Sequence, residues 1–391
     1  MREGWEIKTL GEVCDISAGQ GAPQGEENYC LDGTPFIKAG NLEALVNGEG
    51  EQSVQKVSKE VALSHRLVLQ KKGSIVFAKS GMSCMKGYIY TLQQDCYVVS
   101  HLAVLFPKSV YGPYLNYALH FFKPSSLASD ASFPSITLKD LALFPVPFPV
   151  SLQEQQRIVD ILDQEFAQID ALKANAEKSL QAAKDLFQAT LKKELEPKEG
   201  WKKKKLDEIC QITAELIDPT LPEYLNQKHI GGANIVAETG VLIDLKTSRE
   251  ENLISGKFPF DETMVLYSKI RPYLKKVCCP DFQGICSADI YPLKPYQGVD
   301  RTFLYYILLS QDFTDYAILG SARAGMPKVN RPYMFAYSCS IPEYEEQRKV
   351  ANRLDAVREQ TYSLQDNYQK TLSLCDDLKQ ALLRKAFNGE L

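Results

Sequence analysis

Two short loops in this sequence concentrate the side chains that a polyanion needs. Residues 79–87 (KSGMSCMKG) hold Lys79, Ser80, Ser83 and Lys86 between two strand-like runs, with glycines that permit close backbone approach. Residues 268–276 (SKIRPYLKK) hold Lys269, Arg271, Tyr273, Lys275 and Lys276, and an offset of 190 sets Lys79 on Lys269. Lys, Arg and small polar groups hold phosphates, while Arg, Lys, Asn, Gln and Ser/Thr at a groove edge read bases. Two later loops offer the same types. Residues 321–333 carry Arg323, Lys328, Asn330 and Arg331; residues 125–140 carry Ser132, Ser135, Thr137 and Lys139. The plainer alternative for each is a solvated loop tip with ordinary surface charge. The basic run Lys202 to Lys205 has the same two readings, a phosphate track or a solvated face.

No catalytic constellation accompanies these loops. NRPY (residues 330–333) has Arg331 where the NPPY motif of adenine methyltransferases needs proline, and no Gly-rich strand–turn precedes it. GQGAPQG (residues 19–25) lacks the Lys-Ser/Thr of a phosphate loop. The Pro280–Asp281 pair lacks the trailing acid-x-lysine of a metal-dependent nuclease. The ten cysteines include no C-x-x-C, and the four histidines are scattered, so no metal site is expected. Mostly buried, reduced thiols are expected instead. No run is long and apolar enough to span a membrane, and the N-terminal MREGWEIKTL lacks the apolar core of a signal peptide. A cytoplasmic protein with no membrane partner is the expectation.

A net charge of −4 argues against a uniformly basic binder. The excess acid sits in residues 151–197, with 6 basic against 9 acidic residues, and 343–391, with 8 against 9. The rest of the chain balances at 31 against 31, so any basic face is local.

The elements that must position the loops occur twice. WEIKTLGEVCDISAG (residues 5–19) returns 196 residues later as WKKKKLDEICQITAE, and EQQRIVDILD (residues 154–163) returns 192 residues later as EQRKVANRLD. Each half begins with short β-branched and aromatic runs punctuated by Gly, Asn or Pro: residues 34–42, 73–80, 86–92 and 96–106, then 227–236, 262–270, 274–280 and 284–293. A helix follows in each, at 111–122 and 300–310. Pro145, Pro147 and Pro149 exclude a central strand and enforce an extended segment. Ser151 with Glu154 three residues on marks a helix start, and Pro342 stands at the second one.

From there apolar residues recur at heptad-like steps. Ile158, Leu162, Ile169, Leu172 and Leu186 form one stripe; Val350, Leu354, Val357, Leu364, Leu378 and Leu382 form its counterpart. Two such stripes are expected to pack as a coiled coil of roughly 60 Å. Two amphipathic helices packed on their own domains are the alternative. Gln155 and Gln347 are expected to serve helix-end packing. The fold class predicted is α+β: two similar domains with mixed or antiparallel sheets, separated by a pair of long antiparallel helices and related by a pseudo-two-fold. The boundaries expected are 1–150, 151–197, 198–341 and 342–391.

The helix starts FPVPFPVSLQEQQRIV (residues 144–159) and CSIPEYEEQRKV (residues 339–350), the ending LLRKAFNGEL (residues 382–391), and the stretches VLYSKIRPYLKKV (residues 265–277) and GMPKVNRPYMF (residues 325–335) resemble the specificity subunit of type I restriction–modification systems. The resemblance covers essentially the whole chain. It implies two target-recognition domains that each read one half of a split double-stranded DNA target. It also implies helices that fix the spacing and dock two methyltransferase subunits, to which motor/nuclease subunits are added. It implies no active site here, with S-adenosylmethionine, ATP and magnesium used only by the partners. A coiled-coil scaffold that binds proteins alone, or a stand-alone DNA-modifying enzyme, are the competing readings.

Overall fold

A computed structural model describes residues 4–129, 132–321 and 326–391. The chain divides into two compact units, Met1–Asn175 with Thr371–Leu391, and Ala176–Lys370.

In the first unit Trp5–Thr9 pairs antiparallel with Pro145–Pro149 as a two-stranded ribbon. The three prolines fit because neither strand has a second neighbour that would need their missing N–H groups. A four-stranded antiparallel sheet runs Cys14–Ala18, Leu102–Pro107, Ile75–Ala78, Ile89–Thr91. A smaller sheet centres on Thr34–Ile37, parallel to Tyr97–Val98. The second unit repeats this plan. Lys202–Lys205 pairs with Ser338–Ile341; the four-stranded sheet runs Cys210–Gln211, Ile290–Pro295, Val265–Ser268, Val277–Cys278; and Lys228–Ile230 lies parallel to Gly284–Ser287. Both expected sheet types are therefore present. The Lys202–Lys205 run is a ribbon strand, and Lys202 pairs with Glu343 at 2.8 Å.

Buried side chains specify the repeated frame. Gln155 accepts from the Tyr111 amide (2.8 Å) and donates to the Pro149 carbonyl (2.8 Å). Its counterpart Gln347 accepts from the Asp300 amide (2.8 Å) and donates to the Pro342 and Gly298 carbonyls. Each glutamine thus anchors the start of a long helix to the loop before the shorter helix, Gly112–Phe122 or Arg301–Leu309. The packing role expected for them holds. Tyr117 donates to Asp163 and Tyr306 to Asp355, both at 2.6 Å, at the same repeated positions.

The long helices are Leu152–Leu195 and Tyr344–Asn388. Ser151 caps the first, accepting from the Glu154 amide. Inside each unit the two helices pair antiparallel. In the first, Lys173 meets Asp376 at 2.8 Å and Lys379 meets Asp170; in the second, Arg353 meets Glu194 at 2.8 Å and Phe187 meets Tyr362. Leu162, Ile169, Ala176 and Ala183 are buried at seven-residue steps; of the positions 192 residues on, Leu354, Thr361 and Cys375 are buried and Tyr368 is partly so. Ile158 and Val350 are buried too, with Val357 and Leu382 partly so.

Leu172, Leu186, Leu364 and Leu378 depart from the expected stripe: all four are 41–54% exposed. The seam's second side lies four residues after the buried stripe, where Phe166 and Phe187 follow Leu162 and Ala183, rather than three. A helix at 3.6 residues per turn allows either choice over a few turns. At one of these places the bulkier Phe187 takes the inner side and Leu186 beside it faces out.

Candidate nucleic-acid interface

The loops singled out by residue type are brought together in pairs, by the same backbone hydrogen bonds in each unit. In the second unit the Lys269 amide donates to the Asp289 carbonyl (3.0 Å), the Val329 amide to the Lys269 carbonyl (3.0 Å), and the Arg271 amide to the Pro327 carbonyl (2.9 Å). Ile270 forms a bridge with Lys328. In the first unit Lys79 donates to His101 (2.9 Å), Ile136 to Lys79 (2.8 Å) and Gly81 to Pro134 (2.9 Å), while Ser80 bridges Ser135. The early loop and the late loop thus form one tip in each unit.

A single 3-10 turn projects from each tip between two left-handed residues. In the first unit Met82–Lys86 lies between Gly81 (φ +74°) and Gly87 (φ +71°). In the second Pro272–Leu274 lies between Arg271 (φ +48°) and Lys275 (φ +45°). Glycine takes this conformation without strain; a side chain there costs on the order of 1 kcal/mol or more. The late loops end in capped helical turns. Thr137 accepts from the Asp140 amide (3.1 Å) before Leu138–Ala142, and Asn330 accepts from the Tyr333 amide (2.9 Å) before Arg331–Phe335.

The side chains mounted on this frame differ. At the second tip Asp289 takes Lys328 at 2.7 Å and Lys269 at 3.3 Å. Lys269 also donates to the Ala288 carbonyl (2.6 Å) and stands 5.2 Å from the centre of the Tyr291 ring. Burial pushes the Asp289 carboxyl up, but the hydrogen bonds from Lys328 and Lys269 outweigh it and hold it below the ordinary aspartate value. Asp289 is therefore an acceptor flanked by two cations. A cavity of about 380 Å³ opens beside it, lined by Ser268, Arg271, Lys276 and Met326 among others. Arg271 and Tyr273 are exposed. Arg331 donates to the Ile212 carbonyl (3.2 Å) and lies over the Phe335 ring.

At the first tip His101 holds the place of Asp289. Its Nδ1 lies 2.8 Å from the Ser80 hydroxyl. Lys86 pairs with Glu43 at 3.1 Å, Lys79 and Ser83 are half-buried, Lys139 is exposed, and Met82, Met85 and Phe133 stand out in solvent. Ser132 and Ser135 are exposed in the late loop.

Lys275 is a correction to the sequence reading. Its ammonium is buried, donating to Gln311 (2.8 Å) and Gln188 (3.2 Å), and burial lowers its pKa. It braces the tip against the long helix rather than facing outward, because the left-handed turn at Lys275 aims its side chain inward. Arg323 lies outside the described residues. Asp289 and His101 escaped the sequence reading, since only the pairing of distant strands brings them under Lys269 and Lys79. The NRPY segment is the Asn330 helix cap. All ten cysteines are unpaired thiols, and among the described residues no His/Cys/Asp/Glu group could hold a metal ion.

Comparison with known proteins agrees with this duplicated plan. The pattern of the family described as "Type I restriction modification DNA specificity domain" matches residues 2–182 and again residues 198–373. The chain is 26% identical to the type I restriction enzyme EcoDI specificity subunit of Escherichia coli, with 99% of this chain and 88% of that protein aligned. It is 24% identical to the StySPI specificity subunit of Salmonella potsdam, over 100% and 90%. Among solved structures, a chain from work on complex assembly and conformational transition of the type I R-M system superposes with a TM-score of 0.74 at 17% identity, covering 100% of this chain and 99% of that one. The HsdS subunit of Thermoanaerobacter tengcongensis superposes at 0.59 and 18% identity, over 100% and 98%.

Proposed function

Since this chain belongs to the family of type I restriction–modification DNA specificity domains, which it matches twice, we propose that it is the DNA-reading subunit of such a system and that each tip reads one half of a bipartite target. Residues 1–150 and 198–341 act as the two recognition domains. Residues 151–197 and 342–391 set the spacer and dock two methyltransferase subunits. Motor/nuclease subunits join that core. Methyl transfer and cleavage, with S-adenosylmethionine, ATP and magnesium, belong to these cytoplasmic partners.

The observation that carries this reading is the repeated tip, one backbone frame bearing two different side-chain sets. Lys79, Lys139, Lys269, Arg271, Lys328 and Arg331 supply phosphate contacts, which position a protein on DNA without reading it. Ser80 with His101, and Asp289 between its lysines, supply groups that discriminate base edges; a carboxylate accepts from an exocyclic amino group such as cytosine N4. Tyr273, Ser83 and Asn330 stand beside them. The out-turned leucines favour partner docking by the helices. Leu172 and Leu378 lie in the first unit, Leu186 and Leu364 in the second, and each pair sits at one level of its antiparallel register. Each pair is a place where a partner's apolar side chains would seat.

The test is an exchange of residues 1–150 for those of another family member, expressed with the cognate methyltransferase and followed by methylome sequencing. One half of the methylated sequence is expected to change. Alteration of both halves, or of neither, would overturn the assignment.

A further inference from the structure

The two units differ in how they fill one space. In the first, Phe121 and Phe122 at the end of Gly112–Phe122 close on Phe387 of the second long helix, with ring centres 5.3 and 5.4 Å from it; the Phe121–Phe387 pair is stacked. The repeated hydrogen bonds fix the equivalent positions. Tyr117 matches Tyr306, so Phe121 and Phe122 fall on Ser310 and Gln311. The long-helix repeat puts Phe387 on Leu195. Three aromatic rings become a hydroxyl, an amide and a leucine.

The second unit accordingly holds a cavity of about 520 Å³ whose lining includes Leu195, Ser310, Gln311 and Tyr337. Lys192 and Lys203 also line it, and neither forms an ion pair among the described residues. Asp312 offsets only one of the two charges. Well-packed interiors do not leave a space of this size, whereas ligand sites do.

We infer that this cavity is a socket for an aromatic side chain next to a carboxylate, carried by a partner protein. The first unit names the guest, since it fills the matching space with its own phenylalanines. It also shows the carrier: Phe387, the ring that closes the space, is borne on a helix. The unpaired lysines supply the preference for an acidic neighbour, as opposite charges at a partly desolvated rim favour one register of docking. Only one of the two units would capture this partner. The inference rests on the internal repeat and stands apart from DNA reading.

The test uses the full chain and a fluorescein-labelled Glu-Phe-Phe-Glu peptide, followed by anisotropy. Saturable binding is expected, weakened about tenfold or more by Leu195→Phe, which restores the first unit's ring, and by the surface pair Lys192→Glu with Lys203→Glu. Lys-Phe-Phe-Lys is expected to bind at least about tenfold more weakly. Lys59→Glu, a charge reversal at an exposed site in the other unit, serves as the control without effect. Absence of saturable binding at about 1 mM peptide, or binding indifferent to both the filling and the charge variants, would overturn the socket. Phenylacetate binding as tightly as the tetrapeptide would overturn the claim that a protein segment is the guest.

Discussion

At the first tip Lys79 gives its amide to His101, and His101 turns to a serine hydroxyl; at the second Lys269 gives its amide to Asp289, and Asp289 draws in two lysines. The backbone hydrogen bonds of the two tips correspond one for one. The side chains at matching places are histidine against aspartate, and glycine against arginine. The frame and the side chains mounted on it therefore vary independently. A duplicated protein that reads two different half-sites needs this separation, because specificity must change without the fold changing. The lesson extends to the long helices: Gln155 and Gln347, which tie them to their units, are the same residue in both copies.

The largest contrast should come from that shared frame. The buried Gln347 makes three hydrogen bonds and the buried Gln155 two. Each buried group left unpaired costs about 1–3 kcal/mol. Gln347→Ala should therefore destabilise its unit by about 3 kcal/mol and Gln155→Ala by about 2 kcal/mol. Hydrogen exchange should show lost protection at the Asp300 amide in one variant and the Tyr111 amide in the other. Equal loss in both units would mean that the two frames are not independent.

Next in size is the ruler. Adding seven residues to each long helix extends it by about 10 Å and should lengthen the unread gap of the methylated sequence, leaving both half-sites as they were. An unchanged gap would remove the helices from spacing.

A smaller effect separates conformation from charge at the tips. Arg271 holds φ +48° where the first tip uses Gly81. Arg271→Gly should leave stability unchanged or raise it by about 0.5–1 kcal/mol, while Gly81→Ala should lower it by about 1 kcal/mol. The same Arg271→Gly should flatten the salt dependence of DNA binding by about 0.9 in log–log slope, the worth of one phosphate contact. An unaltered slope would return Arg271 to the solvated surface.

Much of the frame was legible in the sequence. The repeats, the strand runs and both long helices are written in local patterns of period two and about 3.5, which a chain displays without its partners. The reading of Leu172, Leu186, Leu364 and Leu378 as seam residues failed because spacing alone does not choose between neighbours three and four residues on. At Leu186 the larger neighbour Phe187 takes the inner place. Lys275 looked like its neighbours in a basic loop, and only the left-handed turn set it facing inward. Asp289 and His101 were illegible for a different reason: twenty or so residues separate each from the lysine above it, and strand pairing alone brings them together.

One frame with two independent readers is tested most directly by methylome sequencing of cells carrying Asp289→Asn and, separately, His101→Asn, each with the cognate methyltransferase. Asp289→Asn is expected to relax or switch a base in one half of the target, and His101→Asn to do so in the other half alone. A change in both halves from either variant, or uniformly weaker methylation with every base preference intact, would contradict it.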